Sequence, residues 1–338
     1  MTIKAALLGY GRNGSTMHAG AMERNPGITV SAVCDIDQAR LQQARDRFGC
    51  AVYTDYKEML AQEQLDLVSV VTRSDQHCQM ACDCLHAGVN VLVTKPWATT
   101  AAQARQIVQA AQASGQRVFP WLPSRFGSTL RALQVLVAEQ AVGDIFLVRR
   151  INRYFGIRND WQTERKYGGG YLLNWGPHLV DPPLVLMNQK IVSVYSCLRQ
   201  VINPGDGEDI FLIVFTLANG CIVHVEQTVS TQPLPEWVIQ GTKGTIIVNG
   251  NEIIVRSGAP AQPADATKYL GMRANDLVTS TQTVAGNQYG DENEIYAALY
   301  SALTEGKEYP FPPEDALNLS VILDNIRLSS ETNKVVSW

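Results

Sequence analysis

No apolar run in these 338 residues reaches the roughly 20 residues that a helix needs to cross a bilayer, so a membrane-spanning chain is not expected. The first apolar stretch, Ile3 to Leu8, is too short and too soon interrupted for a signal peptide, and the expected compartment is the cytoplasm. Positive charge is not in excess either. There are 28 Lys and Arg against 32 Asp and Glu, a formal net charge of -4, and no basic run. This composition excludes the electrostatic footprint of a nucleic-acid binder and supplies no patch for a membrane surface. Seven cysteines, an odd number without a secretory signal, argue for reduced thiols and against a disulfide framework. Cys78, Cys82 and His86 recur at helical spacing beside His77 and Cys84, but without paired Cys-x-x-Cys knuckles they read as small buried residues on a crossover helix, and no metal site is expected. Internal repeats and low-complexity segments are absent. Small molecules and copies of the same chain are the partners left.

What the chain does have is a folded-protein composition, 46% apolar and 18% charged, in a length that suits two domains, 1–122 and 123–338. Its organising stretch is Ala5 to Gly14. An apolar strand breaks into Gly9-Tyr10-Gly11-Arg12-Asn13-Gly14, and a helical pattern follows. The spacing Gly-x-Gly-x-x-Gly gives a tight turn at Gly9, close backbone approach to a pyrophosphate at Gly11, and helix-on-strand packing at Gly14. A second strand, Ile28 to Cys34, ends at Asp35, about twenty residues past the glycines, where a carboxylate accepts hydrogen bonds from ribose hydroxyls and repels a 2′-phosphate. The six loop residues, with Asp35 and Ile36, are therefore cofactor-binding candidates, and NAD is the expected cofactor. NADP stays open through Arg12 and Arg40.

Beyond Asp35, strands and helices alternate. Helix Gln38 to Phe48 stops at Gly49, and Leu65 to Val71 reads as a strand buried on both faces. Helix Asp75 to His86 stops at Gly88; strand Val89 to Val93, helix Thr100 to Ser114 and strand Arg117 to Phe119 follow. Such alternation requires a doubly wound parallel sheet with helices on both faces. Ligands bind these sheets at the carboxyl ends of the strands, which adds Thr72, Arg73, His77, Thr94 and Lys95 to the cofactor rim. Pro96 biases Lys95 to an extended backbone, and a strand-end ammonium aimed into the cleft can stabilise an alkoxide developing as hydride leaves carbon.

These features, with Ser74-Asp75-Gln76-His77, Lys95-Pro96, Pro123-Ser124-Arg125-Phe126, Gly168-Gly169-Gly170-Tyr171 and on to Asp181, Gly241-Thr242-Lys243-Gly244 and Pro312 to Ala316, resemble the Gfo/Idh/MocA oxidoreductases. The resemblance covers nearly the whole chain. It implies an α/β fold: a Rossmann domain, then a substrate-binding and oligomerisation α+β domain with a large open, mainly antiparallel sheet whose far face pairs subunits in a homodimer or homotetramer. It implies Lys95, His178 and Asn174 as catalytic residues and Arg125, Tyr154, Trp161, Arg165 and Tyr289 as substrate contacts. Two positions depart from the family pattern. Its Glu-Lys-Pro is Thr94-Lys95-Pro96 here, and the aspartate four residues before the histidine is Asn174.

In the second half, a helical pattern from Gly127 to Gln140 precedes apolar-alternating segments at Ile145 to Tyr154, Ile191 to Val201, Asp209 to Leu217, Cys221 to Thr228, Trp237 to Gln240, Thr245 to Val248 and Glu252 to Val255, the pattern of an antiparallel sheet. Gly169 to Met187 reads as a helix that Pro182-Pro183 kink just beyond Asn174, His178 and Asp181, which share a face; His178 has the pKa of a general base, and Asp181 is placed to orient its ring. Replacing a carboxylate by Asn174 leaves Lys95 without a negative partner. Arg149, Arg150, Arg153, Arg158, Arg165 and Lys166 add local positive charge, so a carboxylated sugar or anionic polyol is a candidate substrate. Ser257 to Glu292 reads as a long loop, and Glu294 to Glu305 and Glu314 to Thr332 as helices. The expected function is NAD-dependent hydride transfer at a secondary alcohol or ketone of a sugar, polyol or sugar acid. The alternatives are a redox-neutral NAD-dependent glycosidase working through a transient keto-sugar and a non-catalytic NAD-binding sensor.

Overall fold

A computed structural model describes residues 2–259, 267, 269 and 276–338. Among them the first sheet holds six strands: β1 (Ile3–Leu8), β2 (Ile28–Cys34), β3 (Ala51–Tyr53), β4 (Leu67–Val70), β5 (Asn90–Val93) and β6 (Val118–Pro120). All neighbours are parallel, in the order β3-β2-β1-β4-β5-β6. Helices α1 (Ala19–Arg24), α2 (Gln38–Phe48), α3 (Tyr56–Gln62), α4 (His77–His86) and α5 (Ala101–Ser114) supply the crossovers. Every residue of β4 is buried, the polar Ser69 included, as a central strand covered on both faces requires. Local signals set the helix limits: the Asp37 carboxylate accepts from the N–H groups of Ala39 and Arg40 to open α2, and Gly49, at φ 62°, closes it. Strand order reverses between β1 and β4, and this opens the crevice at their carboxyl ends.

The second sheet is nine-stranded: β7 (Ile145–Arg153), β8 (Ile191–Arg199), β9 (Ile210–Leu217), β10 (Ile222–Thr228), β11 (Trp237–Gly241), β12 (Gly244–Asn249), β13 (Glu252–Ser257), β14 (Val278–Thr283) and β15 (Val336–Ser337). Its order is β14-β13-β12-β11-β7-β10-β9-β8-β15, antiparallel except where β10 runs parallel to β7. Helices α6 (Ser128–Ala138), α7 (Tyr171–Leu179), α8 (Asp181–Met187), α9 (Glu292–Thr304) and α10 (Pro313–Thr332) are the remaining α-helices among the described residues. The alternation is clean. Phe211, Ile213, Phe215 and Leu217 face the core shared with α7, α8 and α10, while Leu212 and, on neighbouring strands, Phe146 and Ile222 stand on the exposed side. The α/β fold with a parallel Rossmann-type sheet and a mainly antiparallel partner is the one its alternating pattern predicts.

Four local features differ from the sequence reading. The helix after the glycine loop is wound as a π-segment over Gly14–His18, with the Ala19 N–H reaching the Gly14 carbonyl, and this turns His18 into the core against Trp121 and Tyr296. The helix expected over Gly169–Met187 with a kink at Pro182-Pro183 is two helices, α7 and α8, because both prolines lack amide hydrogens and occupy the first turn of a new helix. Part of the expected loop Ser257 to Glu292 is strand β14, whose six residues are all exposed and so carry no alternation; most of 260–275 lies outside the described residues. Finally, α9 packs on the first sheet, not the second: Ile295, Tyr296 and Leu299 are buried with Leu7, Met22 and Phe119. Tyr296 meets both His18 Nδ1, at 2.9 Å, and Ser69 Oγ, at 3.0 Å.

Candidate active site

The glycine loop is built by backbone constraints. Gly9 lies at φ 94°, and a Cβ there would stand 2.7 Å from the Val71 carbonyl oxygen. A Cβ on Gly14 would stand 2.1 Å from the Gly9 carbonyl oxygen, so neither position accepts a side chain. Gly11 differs. Its Cβ would meet only the end of the Arg40 side chain, at 3.6 Å, leaving open space above the turn where the first amides of a helix lack intrahelical partners. That cradle fits a dinucleotide pyrophosphate. Beside it, the buried Asp35 carboxylate accepts from the N–H of Tyr10 at 2.7 Å and of Asp37 at 3.0 Å, which fixes it at the edge of the loop with lone pairs to spare. Arg40 is flanked by Asp35 at 3.5 Å and Asp37 at 3.6 Å, and Ile36 projects 90% exposed next to them.

The remaining rim candidates serve mainly to hold the strand ends. His77 is buried, with Nδ1 2.7 Å from the Pro96 carbonyl oxygen and Nε2 3.1 Å from that of Thr72; both ring nitrogens face the backbone, so it ties the end of β4 to that of β5 and presents neither nitrogen to a ligand. Thr94 donates its hydroxyl to the Val70 carbonyl at 3.0 Å, and Thr72 donates its own to Met80 Sδ at 3.5 Å. Arg73 lies over the Tyr167 ring, 4.1 Å from its centroid, joining the first domain's rim to the segment that enters α7. On α4, Cys78 donates to Gln106 Oε1 at 3.3 Å, and among the described residues no group of three ligating side chains could hold a metal ion.

Lys95 and His178 come together through α7. The Lys95 ammonium donates to both the backbone oxygen, at 2.9 Å, and the side-chain Oδ1, at 2.8 Å, of Asn174, one helical turn before His178. Burial, with the nearby positive charges of Arg158 and Arg12, lowers its pKa to about 8. His178 is lowered well below the usual histidine value by burial, then by Lys95 and Arg150, and is a neutral imidazole at pH 7. Its Nδ1 stands 2.6 Å from Ser124 Oγ. The tautomer in which Nδ1–H donates to Ser124 leaves Nε2 with the lone pair a base requires. Tyr289 and Trp175 complete the surroundings, with ring centroids 5.3 and 5.9 Å from His178.

Two candidate residues have other partners here. Asp181 does not orient His178; it begins α8 and takes a two-point hydrogen bond from Arg125, at 2.7 and 2.8 Å. Arg125 in turn also binds Asp315, so this substrate candidate is committed to an internal ion-pair cluster. The residue holding His178 is Ser124, which the chain's motif at Pro123 to Phe126 contains but whose contact spans 54 positions and leaves no trace in local spacing. Tyr289 does reach the site. Tyr154, Trp161 and Arg165 lie on the chain between β7 and α7; Tyr154 is 63% exposed, and Arg165 is 3.9 Å from Glu208. Among the described residues no hydrogen bond or ion pair joins these three to Lys95, Asn174 or His178.

Residues 3–121 match the profile of an oxidoreductase family with an NAD-binding Rossmann fold, and residues 130–247 match the GFO/IDH/MocA C-terminal domain. The chain belongs to the GFO/IDH/MocA family. Within it, scyllo-inositol 2-dehydrogenase (NADP(+)) IolW of Bacillus subtilis is 23% identical over 99% of this chain and 96% of its own. D-apiose dehydrogenase of Paraburkholderia graminis is 26% identical over 72% of this chain and 66% of its own. The fold matches that of the WlbA dehydrogenase from Bordetella pertussis, solved with NADH and UDP-GlcNAcA, at a TM-score of 0.84 and 22% identity, over 100% of this chain and 98% of that one. This GFO/IDH/MocA protein thus carries an NAD-binding Rossmann domain, and sugar and polyol dehydrogenases are among its homologues.

Proposed function

We propose that this protein is a dehydrogenase that moves hydride between NAD and a secondary alcohol or ketone of a sugar, polyol or sugar acid. The observation that carries the reading is the pairing of Lys95, hydrogen-bonded to Asn174, with the neutral His178 one turn further along α7, at the carboxyl edge of an NAD-binding sheet. Inositol and apiose dehydrogenases among the relatives support the substrate class. NAD is favoured over NADP because Asp35 stands where a ribose hydroxyl would donate, and Arg40 beside it is already flanked by two carboxylates.

Nicotinamide, when bound, supplies the hydride acceptor. The chain supplies the rest. The Lys95 ammonium can donate to the substrate oxygen and stabilise the negative charge that grows on it. His178 Nε2 takes the hydroxyl proton while Ser124 holds the ring through Nδ1. Because Asn174 Oδ1 accepts from Lys95, its amide N–H groups remain to orient a neighbouring hydroxyl.

The test follows NADH by its near-ultraviolet absorbance with NAD and a panel of inositols, neutral sugars, uronic acids and aldonic acids. NADH formation with one class is expected, and Lys95→Met should lower kcat/KM by about 1,000-fold while changing the Kd for NAD less than about 2-fold. No turnover in either direction, with NAD bound, would remove the dehydrogenase from consideration.

A further inference from the structure

Helix α7 is covered on nearly every side. Tyr171, Leu172, Leu173, Gly176, Pro177 and Leu179 are all buried. Within the helix only Asn174, Trp175 and His178 keep part of their surface. At 3.6 residues per turn these three fall within an arc of about 100°, so they form one opening on the helix surface. Two of them are already placed in the site: Asn174 Oδ1 accepts from the Lys95 ammonium at 2.8 Å, and His178 Nδ1 stands 2.6 Å from Ser124 Oγ. Trp175 is the third, and no step of the proposed reaction uses it.

The indole is anchored on one side and open on another. It packs against the core that α7 shares with the second sheet, and its remaining surface belongs to the arc where Lys95 and His178 meet. Its ring centroid is 5.9 Å from that of His178 and 5.9 Å from that of Tyr289, which is itself half-buried and 5.3 Å from His178. The planes are inclined at 60° to 63°, so no pair is stacked face to face. The Tyr289 segment is fastened to the one that carries Ser124: Ser128 N–H donates to the Asn287 carbonyl at 3.1 Å, and a Cβ on Gly290 would stand 2.3 Å from the Pro123 carbonyl oxygen. The aromatic side of the site is therefore set by the fold before substrate arrives.

We propose that Trp175 is a specificity-determining residue that gives the substrate an apolar platform, and that the substrate is accordingly a closed ring, a pyranose or a cyclitol, and not an open-chain polyol. The inference rests on the dehydrogenase reading and narrows its substrate class. A chair with equatorial hydroxyls turns its axial C–H bonds to its two faces and its hydroxyls outward around the rim, where Lys95, Asn174 and His178 can meet them. Hydride leaves through an axial C–H on one face, and the other face is free for the indole. Those C–H bonds are slightly positive and an aromatic face is slightly negative, so the contact gains attraction beyond the area it buries. An open chain has no such face and loses more rotational freedom when it is held.

The experiment compares rings with open chains of the same configuration, D-glucose with D-glucitol, D-galactose with galactitol and D-glucuronate with L-gulonate, adding scyllo- and myo-inositol. It measures kcat/KM with NAD, and binding to the NADH complex by calorimetry. Wild-type protein should favour the ring of a pair by at least about 10-fold. Trp175→Leu, which keeps an apolar residue against the core, should lower kcat/KM for rings by about 30-fold, through KM more than kcat, and for open chains by less than about 3-fold. Trp175→Phe, which keeps an aromatic face, should recover part of the loss on rings. Melting temperature and NAD affinity report whether each variant folds; if the Leu variant does not, Trp175→Met, which fills more of the same space, takes its place. Equal or lower kcat/KM for rings overturns the proposal while leaving a dehydrogenase. An equal loss on both classes in the Leu variant overturns it too, since that is a displaced α7, and so does no loss on either. Turnover and binding of neither class, with NAD bound, overturns it together with the proposed function.

Discussion

The glycine loop at the edge of the first sheet and the side-chain cluster around His178 are built by different means. Around Gly9, Gly11 and Gly14 the site is backbone: what matters is where a Cβ cannot go and where amides are left without partners. Around His178 it is side chains from distant stretches of sequence, Lys95, Ser124 and Tyr289, converging on one helix. A backbone-built site tolerates little change and does one thing, binding phosphates. A wall of side chains can be altered residue by residue, so one cofactor can serve many substrates.

Substitution tests that division directly, and the largest effect is expected at the backbone. Gly14→Val puts atoms where the Gly9 oxygen stands, 2.1 Å from the new Cβ, so NAD binding measured calorimetrically should weaken by about 100-fold or more. Retained affinity would mean that the loop is not backbone-determined.

A smaller effect is expected at the wall. Asn174→Asp places a carboxylate 2.8 Å from the Lys95 ammonium, so the lysine pKa, about 8 in the present protein, should rise, and the alkaline limb of the kcat/KM profile should move up by about one pH unit with NAD affinity unchanged. An unmoved limb would show that Lys95 does not govern it.

The smallest concerns both regions together. His18, lowered to about 3, and His77 and His178, also lowered, are neutral when folded, all through burial first. Their unfolded value is 6.5. Between the folded and unfolded values the unfolded chain binds more protons, so the stability from keeping these rings neutral is full above about pH 6.5 and is lost as pH falls. Melting temperature should drop by a few degrees from pH 7.5 to 5.5, and a flat profile would mean that the rings are not kept neutral.

The same division explains what could be read in the sequence. The parallel sheet, the glycine loop, Asp35 at the end of β2 and Lys95 at the end of β5 follow from alternation and spacing, because each is specified within about ten residues of chain. The Ser124 contact to His178 and the Arg125 pairing with Asp181 join positions more than fifty apart, and no periodicity encodes such meetings. The shared face expected for Asp181 gives way at Pro182 and Pro183, with which α8 opens, and the Asp181 carboxylate pairs with Arg125. Strand β14 escaped because an edge strand exposed on both faces has no reason to alternate.

The return of α9 to the first sheet bears on how the protein emerges from the ribosome. Leu7, Met22 and Phe119 are synthesised early, but Ile295, Tyr296 and Leu299, which cover them, come near the end. The nascent Rossmann half therefore waits, with part of its apolar face open, until the second sheet has been made and the chain has come back. Closure of the first sheet is thus a late event in biosynthesis, timed by the completion of the second.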